Sequence, residues 1–251
     1  MQLSVRAAQA GYRLDLFETL ASTNDEAMRR AKEGDPGKLW IIARQQSGGR
    51  GRHGRPWSSP PGNLYASLLL IDPAPTAQAP QLGFVTGIAL VRALRRVAPV
   101  EPPIALKWPN DALWQGAKLS GMLLEASSLP GGRLACVIGM GINCASHPDG
   151  LPYAAANLSQ IMQTWVNAED VFAALSEEIP AALDLWQRGA NFAAVRNEWL
   201  KCASGLGGPL RVKLGEREIT GTFRTIDETG CLLLDTSAGP AIVEAGDVFL
   251  I

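Results

Sequence analysis

Between Gln46 and Trp57 the chain reads Gln-Ser-Gly-Gly-Arg-Gly-Arg-His-Gly-Arg-Pro-Trp, so Arg50, Arg52 and Arg55 fall within six residues, spaced by glycine. Three guanidiniums this close repel one another unless an anion draws them together, and glycine offers no packing to offset the entropy of ordering the loop. Arginine forks match phosphate and carboxylate oxygens in pairs. The chemistry this predicts is a flexible lid that orders around a polyanion such as a triphosphate. A solvated basic loop, or an arginine-glycine tract lying on RNA phosphates, are the alternatives. The loop's position directly after a buried strand favours the anion site. No G-x-x-x-x-G-K-[ST] phosphate loop occurs.

Four further clusters carry polar groups in patterns that chemistry could use. Lys107-Trp108-Pro109-Asn110-Asp111 gathers a cation, an aromatic ring, a turn former, an amide and a carboxylate at a strand end. Asn110 and Asp111 there could hold metal-bound phosphate oxygens, or form an ordinary Asx turn beside a surface lysine. Lys118 opens the strand Lys118-Leu119-Ser120-Gly121-Met122-Leu123-Leu124-Glu125. It reads as a solvated edge residue or as an electrostatic catalyst near developing negative charge, and Gly121 marks a bulge or a close ligand. In Gly139-Met140-Gly141-Ile142-Asn143 the two glycines share one strand face. That bare face could receive a flat ring or a packed helix. Ser22-Thr23-Asn24 suits a helix N-cap and equally a polar ligand edge.

The elements that must position these groups follow from periodicity. Tyr12–Leu20 alternates as a half-buried strand, and a helix begins at Ser22-Thr23, with Asp25 and Glu26 in its first turn, and stops at Gly34. Leu39–Ala43 and Leu64–Ile71 read as strands on either side of the loop 47–62. After a Pro/Ala-rich turn, Leu82–Val97 has helical spacing and a basic end. Ile104–Trp108, Leu119–Glu125 and Leu134–Ile142 are further strands. Helices are predicted over Ala168–Trp186, bent or broken at Pro180, and over Phe192–Cys202. Gly205, Gly207 and Gly208 mark a boundary, followed by short strands at 210–214, 217–226, 231–235, 241–244 and 248–251 that predict a small barrel. The whole is an α+β pattern built on a mixed sheet.

Composition narrows the classes. The chain has 251 residues, 23 Lys plus Arg against 24 Asp plus Glu, and a formal net charge of −1. No global field draws it to nucleic acid or a membrane, so any basic site is local. Cys136, Cys144, Cys202 and Cys231 lack C-x-x-C spacing, and only His53 and His147 accompany them, which argues against a zinc site or a disulfide framework. With no apolar stretch of signal-peptide length near Met1, the expectation is a reduced, cytoplasmic protein.

Taken in order, Ser22-Thr23-Asn24, Gln46, the Gly-Arg-Gly-Arg-His-Gly-Arg-Pro-Trp loop, KWPND, KLSGMLLE and GMGIN resemble the signature of biotin protein ligases over residues 14 to 143. The resemblance implies a catalytic domain over 1–204, of the α+β class II aminoacyl-tRNA synthetase-like fold shared with lipoate ligases, and an SH3-like barrel over 205–251. It implies that biotin and MgATP form biotinyl-5′-AMP, and that a lysine of the biotin carboxyl carrier protein of acetyl-CoA carboxylase receives the biotinyl group. Carried over by position, Ser22, Thr23, Asn24 and Gln46 fall around the ureido ring; Arg50, Gly51 and Arg52 close on the carboxylate and the adenylate phosphate. Lys118 matches the lysine at the reacting carboxylate, and Gly121, Gly139 and Gly141 line the biotin slot. Arg55, Trp57, Asn110, Asp111 and Asn143 match ATP-side positions, with Trp57 facing adenine and Asp111 contacting Mg²⁺; Lys107 has a supporting role. His53 departs from the family's arginine and weakens the loop's charge near neutral pH. Because the chain enters the catalytic domain within about a dozen residues of Met1, it resembles the monofunctional class, without DNA binding and with a homodimer as one family arrangement. A lipoate or octanoate ligase on the same scaffold is the nearest rival, disfavoured by the arginine-glycine loop and Gln46. A phosphate-clamping RNA-binding protein is the second.

Overall fold

A computed structural model describes residues 1–251. A short helix α1 (Val5–Gln9) leads into strand β1 (Arg13–Leu20), helix α2 (Thr23–Lys32), β2 (Leu39–Gln46) and β3 (Leu64–Ile71). Helix α3 (Leu82–Val97) follows, then β4 (Ala105–Lys107), β5 (Asp111–Trp114), β6 (Ala117–Leu129) and β7 (Arg133–Ile142). Helices α4 (Leu158–Met162), α5 (Ala168–Trp186) and α6 (Phe192–Lys201) precede five strands, β8 (Pro209–Leu214), β9 (Arg217–Ile226), β10 (Leu232–Thr236), β11 (Gly239–Val243) and β12 (Asp247–Leu250).

The first seven strands form one mixed sheet in the order β1-β2-β3-β7-β6-β5-β4. Only β1 and β2 run parallel, because α2 provides the crossover between them; the other pairs are antiparallel. Strand β2 is buried on both faces, which is why it reads as a continuous apolar run. Trp40 and Ile42 enter the main core under α3, α5 and α6, while Leu39 and Ile41 join a smaller cluster with Ala27 and Ala31 of α2.

That smaller face positions the site. Along β7, Ala135 and Val137 pack beneath α2, and on the same face the next two inward positions are Gly139 and Gly141. Helix α2 begins at Thr23, where the Ser22 hydroxyl accepts the Asp25 N–H. The sheet beyond this N-terminus lacks a covering helix and is floored by glycine.

Two expectations need correction. Pro180 does not break α5, which runs unbroken from Ala168 to Trp186. The buried face of α5, including Val171, Phe172, Leu175, Ile179 and Trp186, outweighs the roughly 3 kcal/mol cost of an internal proline, since each large buried side chain contributes about 1.5–3 kcal/mol. The terminal strands form an open antiparallel sheet, β11-β10-β9-β8-β12, in which β11 and β12 do not pair to close a barrel. Its apolar face, including Val212, Phe223 and Leu234, is continuous with the main core, so closure is not needed to bury it. The short helices α1 and α4 and the strand β5 were not predicted from periodicity, each being at most five residues long.

Candidate active site

A single cleft at the α2 N-terminus gathers Ser22, Thr23, Asn24, Gln46, Arg50, Gly51, Arg52, Arg55, Trp57, Asn110, Asp111, Lys118, Gly121, Gly139 and Gly141. Of the residues to which the resemblance assigns a site role, Asn143 alone does not line it. The Asn143 amide instead donates to Ala156 O at 3.1 Å and to Lys118 O at 3.4 Å, fastening the segment after β7 to the strand that carries Lys118.

The inner end of the cleft is a neutral hydrogen-bond network. Gln46 Oε1 accepts from the Thr23 backbone N–H at 2.8 Å and lies 3.1 Å from the Thr23 hydroxyl, and Gln46 Nε2 donates to Ser59 Oγ at 3.0 Å. Ser67, fully buried on β3, lies 2.6 Å from Asn24 Oδ1 and 2.7 Å from Thr23 Oγ1. Thr23 and Asn24 thus belong both to the helix start and to the cleft wall. Ser67 was missed, although a hydroxyl within the apolar run Leu64–Ile71 was the available signal, since buried hydroxyls require partners.

The bare glycine face is filled from within the protein. A Cβ on Gly139 would stand 2.3 Å from Asn24 Oδ1, and one on Gly141 would stand 2.5 Å from the Trp57 indole. Asn24 and Trp57 therefore approach the sheet as closely as they do because these two positions lack side chains. The flat ring over Gly141 is that of Trp57, whose indole N–H is buried without a partner.

The outer end is charged. Asp111 is buried, and Lys118 Nζ lies 2.7 Å from one of its oxygens while Lys107 Nζ lies 3.1 Å from the other. Lys118 Nζ also stands 5.5 Å from the Trp57 ring centroid and 5.6 Å from that of Tyr153. Two aromatic faces and one carboxylate hold the ammonium in place. Burial, with the Asp111 charge second, pushes the Tyr153 hydroxyl above its ordinary value. Nothing in the sequence pointed to Tyr153, because it lies in an irregular segment with no pattern.

The three loop arginines are not equivalent. Arg50 is bidentate to Asp25 at 2.5 and 2.7 Å, and this hydrogen bond holds the Asp25 carboxyl below its usual range against the opposing effect of burial. Arg55 meets Asp247 of β12 at 2.6 Å. Arg52 has no carboxylate partner; it donates to Gly246 O at 3.1 Å and to Asn110 Oδ1 at 3.4 Å. Burial lowers its pKa, with Asp247 and Asp111 opposing that shift and Arg55 adding to it. A half-buried guanidinium bonded only to neutral acceptors is the arginine with charge to offer an incoming anion. The loop's mutual repulsion, inferred from sequence, is relieved by Asp25 and Asp247 from two other elements.

The C-terminal sheet completes the cleft. Gly246, Asp247, Val248 and Phe249 line its rim, and Lys107 Nζ donates to Val248 O at 3.2 Å. No group of three or more His, Cys, Asp or Glu side chains gathers in metal-binding geometry. Asp111 is one carboxylate flanked by two ammonium groups, whereas Mg²⁺ takes about six oxygens. The protein does not build a resident cation cage here, and Mg²⁺ fits this end only when it arrives with phosphate oxygens as its other ligands.

Comparison with known proteins places this geometry in a lineage. The sequence profile of the biotin/lipoate A/B protein ligase family matches residues 16–143, just over half of the chain, and that of the biotin protein ligase C-terminal domain matches residues 205–251. The biotin–acetyl-CoA-carboxylase ligase of Paracoccus denitrificans is 37% identical over 91% of this chain and 96% of its own length. The enzyme of the same name from Mycobacterium tuberculosis is 31% identical over 96% of this chain and 90% of its own. Among solved structures, the Aquifex aeolicus biotin protein ligase in complex with biotin and ATP superposes with a TM-score of 0.82 at 27% identity, covering 95% of this chain and 99% of that one. By its sequence and its fold, the chain belongs to the biotin/lipoate A/B protein ligase family.

Proposed function

We propose that this chain activates biotin with ATP to biotinyl-5′-AMP and transfers the biotinyl group to a lysine of the biotin carboxyl carrier domain of acetyl-CoA carboxylase. The observation that carries this reading is the joining, in one cleft, of a neutral amide-and-hydroxyl end at Thr23, Asn24 and Gln46 to a cationic end at Arg52 and Lys118. A ureido ring is uncharged and rich in hydrogen-bonding groups, so it suits the first. A carboxylate reacting with a phosphate suits the second. The names of the Paracoccus and Mycobacterium relatives and the ligands of the Aquifex complex support biotin over lipoate.

In the first step a biotin carboxylate oxygen bonds to the α-phosphorus of ATP, and the bond from that phosphorus to the pyrophosphate oxygen breaks. Negative charge accumulates between carboxylate and phosphate, where Lys118, fixed by Asp111 and two rings, and Arg52 reduce repulsion between the anions. Asp111 would be the protein contact of the magnesium that accompanies the nucleotide, and the ion would supply charge neutralisation on the phosphate oxygens. In the second step the neutral amine of the carrier lysine attacks the mixed anhydride carbonyl, AMP leaves, and the amine's proton passes to solvent. Arg55, Trp57 and Asn110 serve the nucleotide side, and Asn143 supports the site from outside the cleft through its bond to Lys118 O; Ser22, Gly51, Gly121, Gly139 and Gly141 shape the biotin side. We assign 1–204 to the catalytic domain and 205–251 to a C-terminal domain that closes the rim. No helix is long and apolar enough to cross a membrane, and the family reading adds a cytoplasmic setting and a homodimer, which sedimentation velocity over a range of concentrations tests.

ATP–pyrophosphate exchange tests the activity: it should require biotin and not respond to lipoate. Exchange with lipoate alone would make the enzyme a lipoate ligase. Biotinyl-adenylate released from the denatured, purified protein and identified by mass spectrometry would corroborate the first step.

A further inference from the structure

Glu125 belongs to the KLSGMLLE segment, yet neither the sequence nor the reaction above gives it a task. It lies on β6 opposite Val137, on the same sheet face as Gly121 and Leu123. Its two carboxylate oxygens point to two different parts of the site. Oε2 accepts from Asn24 Nδ2 at 2.6 Å, and Oε1 lies 3.8 Å from Arg50 Nη2. Asn24 Nδ2 also donates to Leu123 O at 3.3 Å, while its Oδ1 lies 2.6 Å from the Ser67 hydroxyl. Glu125 makes the shorter of the two bonds that fix which way the Asn24 amide faces, since its carboxylate and Leu123 O can only accept and the NH₂ group must turn toward them. Arg50 roots the glycine-rich loop, and the carboxylate that orients Asn24 supplies part of the negative charge that seats this root. Asp25, two positions before Ala27 in α2, supplies the rest.

We propose that Glu125 is a positioning residue that couples the orientation of Asn24 at the biotin end to the seating of the Arg50-rooted loop over the reacting end. The proposal rests on the biotin-ligase reading for the identity of the ligand, but the coupling itself resides in the unliganded chain. A shift of the Asn24 amide when the inner end is filled changes the claim on Oε2, and through the shared carboxylate changes the hold on Arg50. Glu125 does not line the cleft. Its effect runs through Asn24 and Arg50.

The test uses the full chain and two readouts. Trypsin cleavage after Arg50 and Arg52 reports loop seating without any ligand, and biotin and ATP KM values report the two ends of the cleft. Glu125→Gln keeps an oxygen for Asn24 Nδ2 but removes the charge facing Arg50. It should speed loop cleavage roughly two- to fivefold, as expected for a partly exposed ion pair, with the biotin KM within about twofold of wild type. Glu125→Ala removes both contacts and should also raise the biotin KM about tenfold or more, the effect of losing a hydrogen bond to a charged group, with the ATP KM unchanged. Asn24→Ala should alter the cleavage rate in the wild-type background but not in Glu125→Ala, because coupled residues are non-additive. Unchanged cleavage in the Glu125 variants, additive effects with Asn24→Ala, or parallel rises in both KM values tracking a loss of Tm would overturn the proposal. If Glu125→Ala does not fold, the cleavage rate of Glu125→Gln decides alone. If the wild type shows no biotin-dependent exchange, the functional reading fails, while the cleavage measurements still decide the role of Glu125.

Discussion

Arg55 of the glycine-rich loop and Asp247 at the start of β12 form an ion pair at 2.6 Å although 192 positions separate them in the chain. The C-terminal sheet thereby holds the loop from outside, while Arg50 and Asp25 hold it from within the first sheet's domain. Arg52, between the two tethered arginines, is left for the ligand. Replacing Asp247 by Asn should loosen the nucleotide side and raise the ATP KM about two- to fivefold, the scale of a partly exposed pair. Steady-state kinetics at saturating biotin measures this, and an unchanged ATP KM would show that the β12 tether is dispensable.

The same two aspartates predict a pH dependence. Burial works against Asp247, but the hydrogen bond from Arg55 and nearby positive charge hold its carboxyl below the ordinary value, and Asp25 is likewise lowered by Arg50. A group with a depressed folded-state pKa contributes stability above its unfolded value, about pH 4. That contribution disappears as pH falls through the folded value. Thermal melts from neutral pH to about pH 3 should therefore show a shallower acid decline for Asp25→Asn and Asp247→Asn than for wild type. Parallel curves would mean that the pairs persist in the unfolded chain or do not form.

Much of this was legible in the sequence, and the reasons for the remainder are physical. Helix α3 and strand β3 follow from periodicity with their observed ends, because each buries a regular apolar pattern. The arginine-glycine loop and the glycine face of β7 stand out because glycine and clustered arginine are costly without a purpose, whereas Gln46 enters only through the family resemblance. Ser67 was detectable but overlooked as one hydroxyl in an apolar run. Asp25 was read as an N-terminal helix acid, and its second task, neutralising Arg50, depends on where the loop folds. Tyr153, Asp247 and the carbonyls of Gly246 and Val248 reach the site through tertiary packing that no local pattern encodes. The open terminal sheet escaped for a related reason, since its apolar face is buried by another part of the chain.

Docking of the terminal sheet has its own test. Trp108 Nε1 donates to Gly230 O at 3.0 Å, and Gly230 adopts φ +97°, with an added Cβ 2.6 Å from the Phe84 ring. Gly230→Ala should lose about 1–3 kcal/mol through overpacking, with a further contribution from left-handed backbone that disfavours alanine. Urea denaturation measures the loss. A variant as stable as wild type would show that the β9–β10 turn is not pressed against α3.

The cationic end should separate chemistry from stability. Lys118→Ala leaves Asp111 paired with Lys107, so the fold has a remaining counter-charge. Adenylate formation should fall about 10²–10³-fold, as for loss of one group aimed at developing charge, while Tm changes little. Single-turnover assays with radiolabelled ATP, paired with thermal melts, check both halves. A variant that melts much earlier would place Lys118 in the scaffold instead of the chemistry.

The two floor glycines make opposite demands on the ligand ends, which allows them to be told apart. A methyl at Gly139 collides with Asn24 Oδ1, and a methyl at Gly141 collides with the Trp57 indole. Neither glycine needs left-handed backbone, since neither is among those with positive φ, so the cost of substitution lies in the displaced neighbour. Gly139→Ala should turn or push out Asn24, breaking its bonds to Glu125 and Ser67. Its biotin affinity should fall about tenfold or more, the scale of a hydrogen bond to a charged group. Gly141→Ala should instead lift Trp57 from the sheet and away from Lys118, whose ammonium then keeps Asp111 and one ring. The expected loss there is in adenylate formation at saturating biotin, by a smaller factor than for Lys118→Ala. Isothermal titration with biotin and single-turnover adenylation, run on both variants, distinguish the two outcomes. Identical profiles for the two alanines would mean that Asn24 and Trp57 move as one unit.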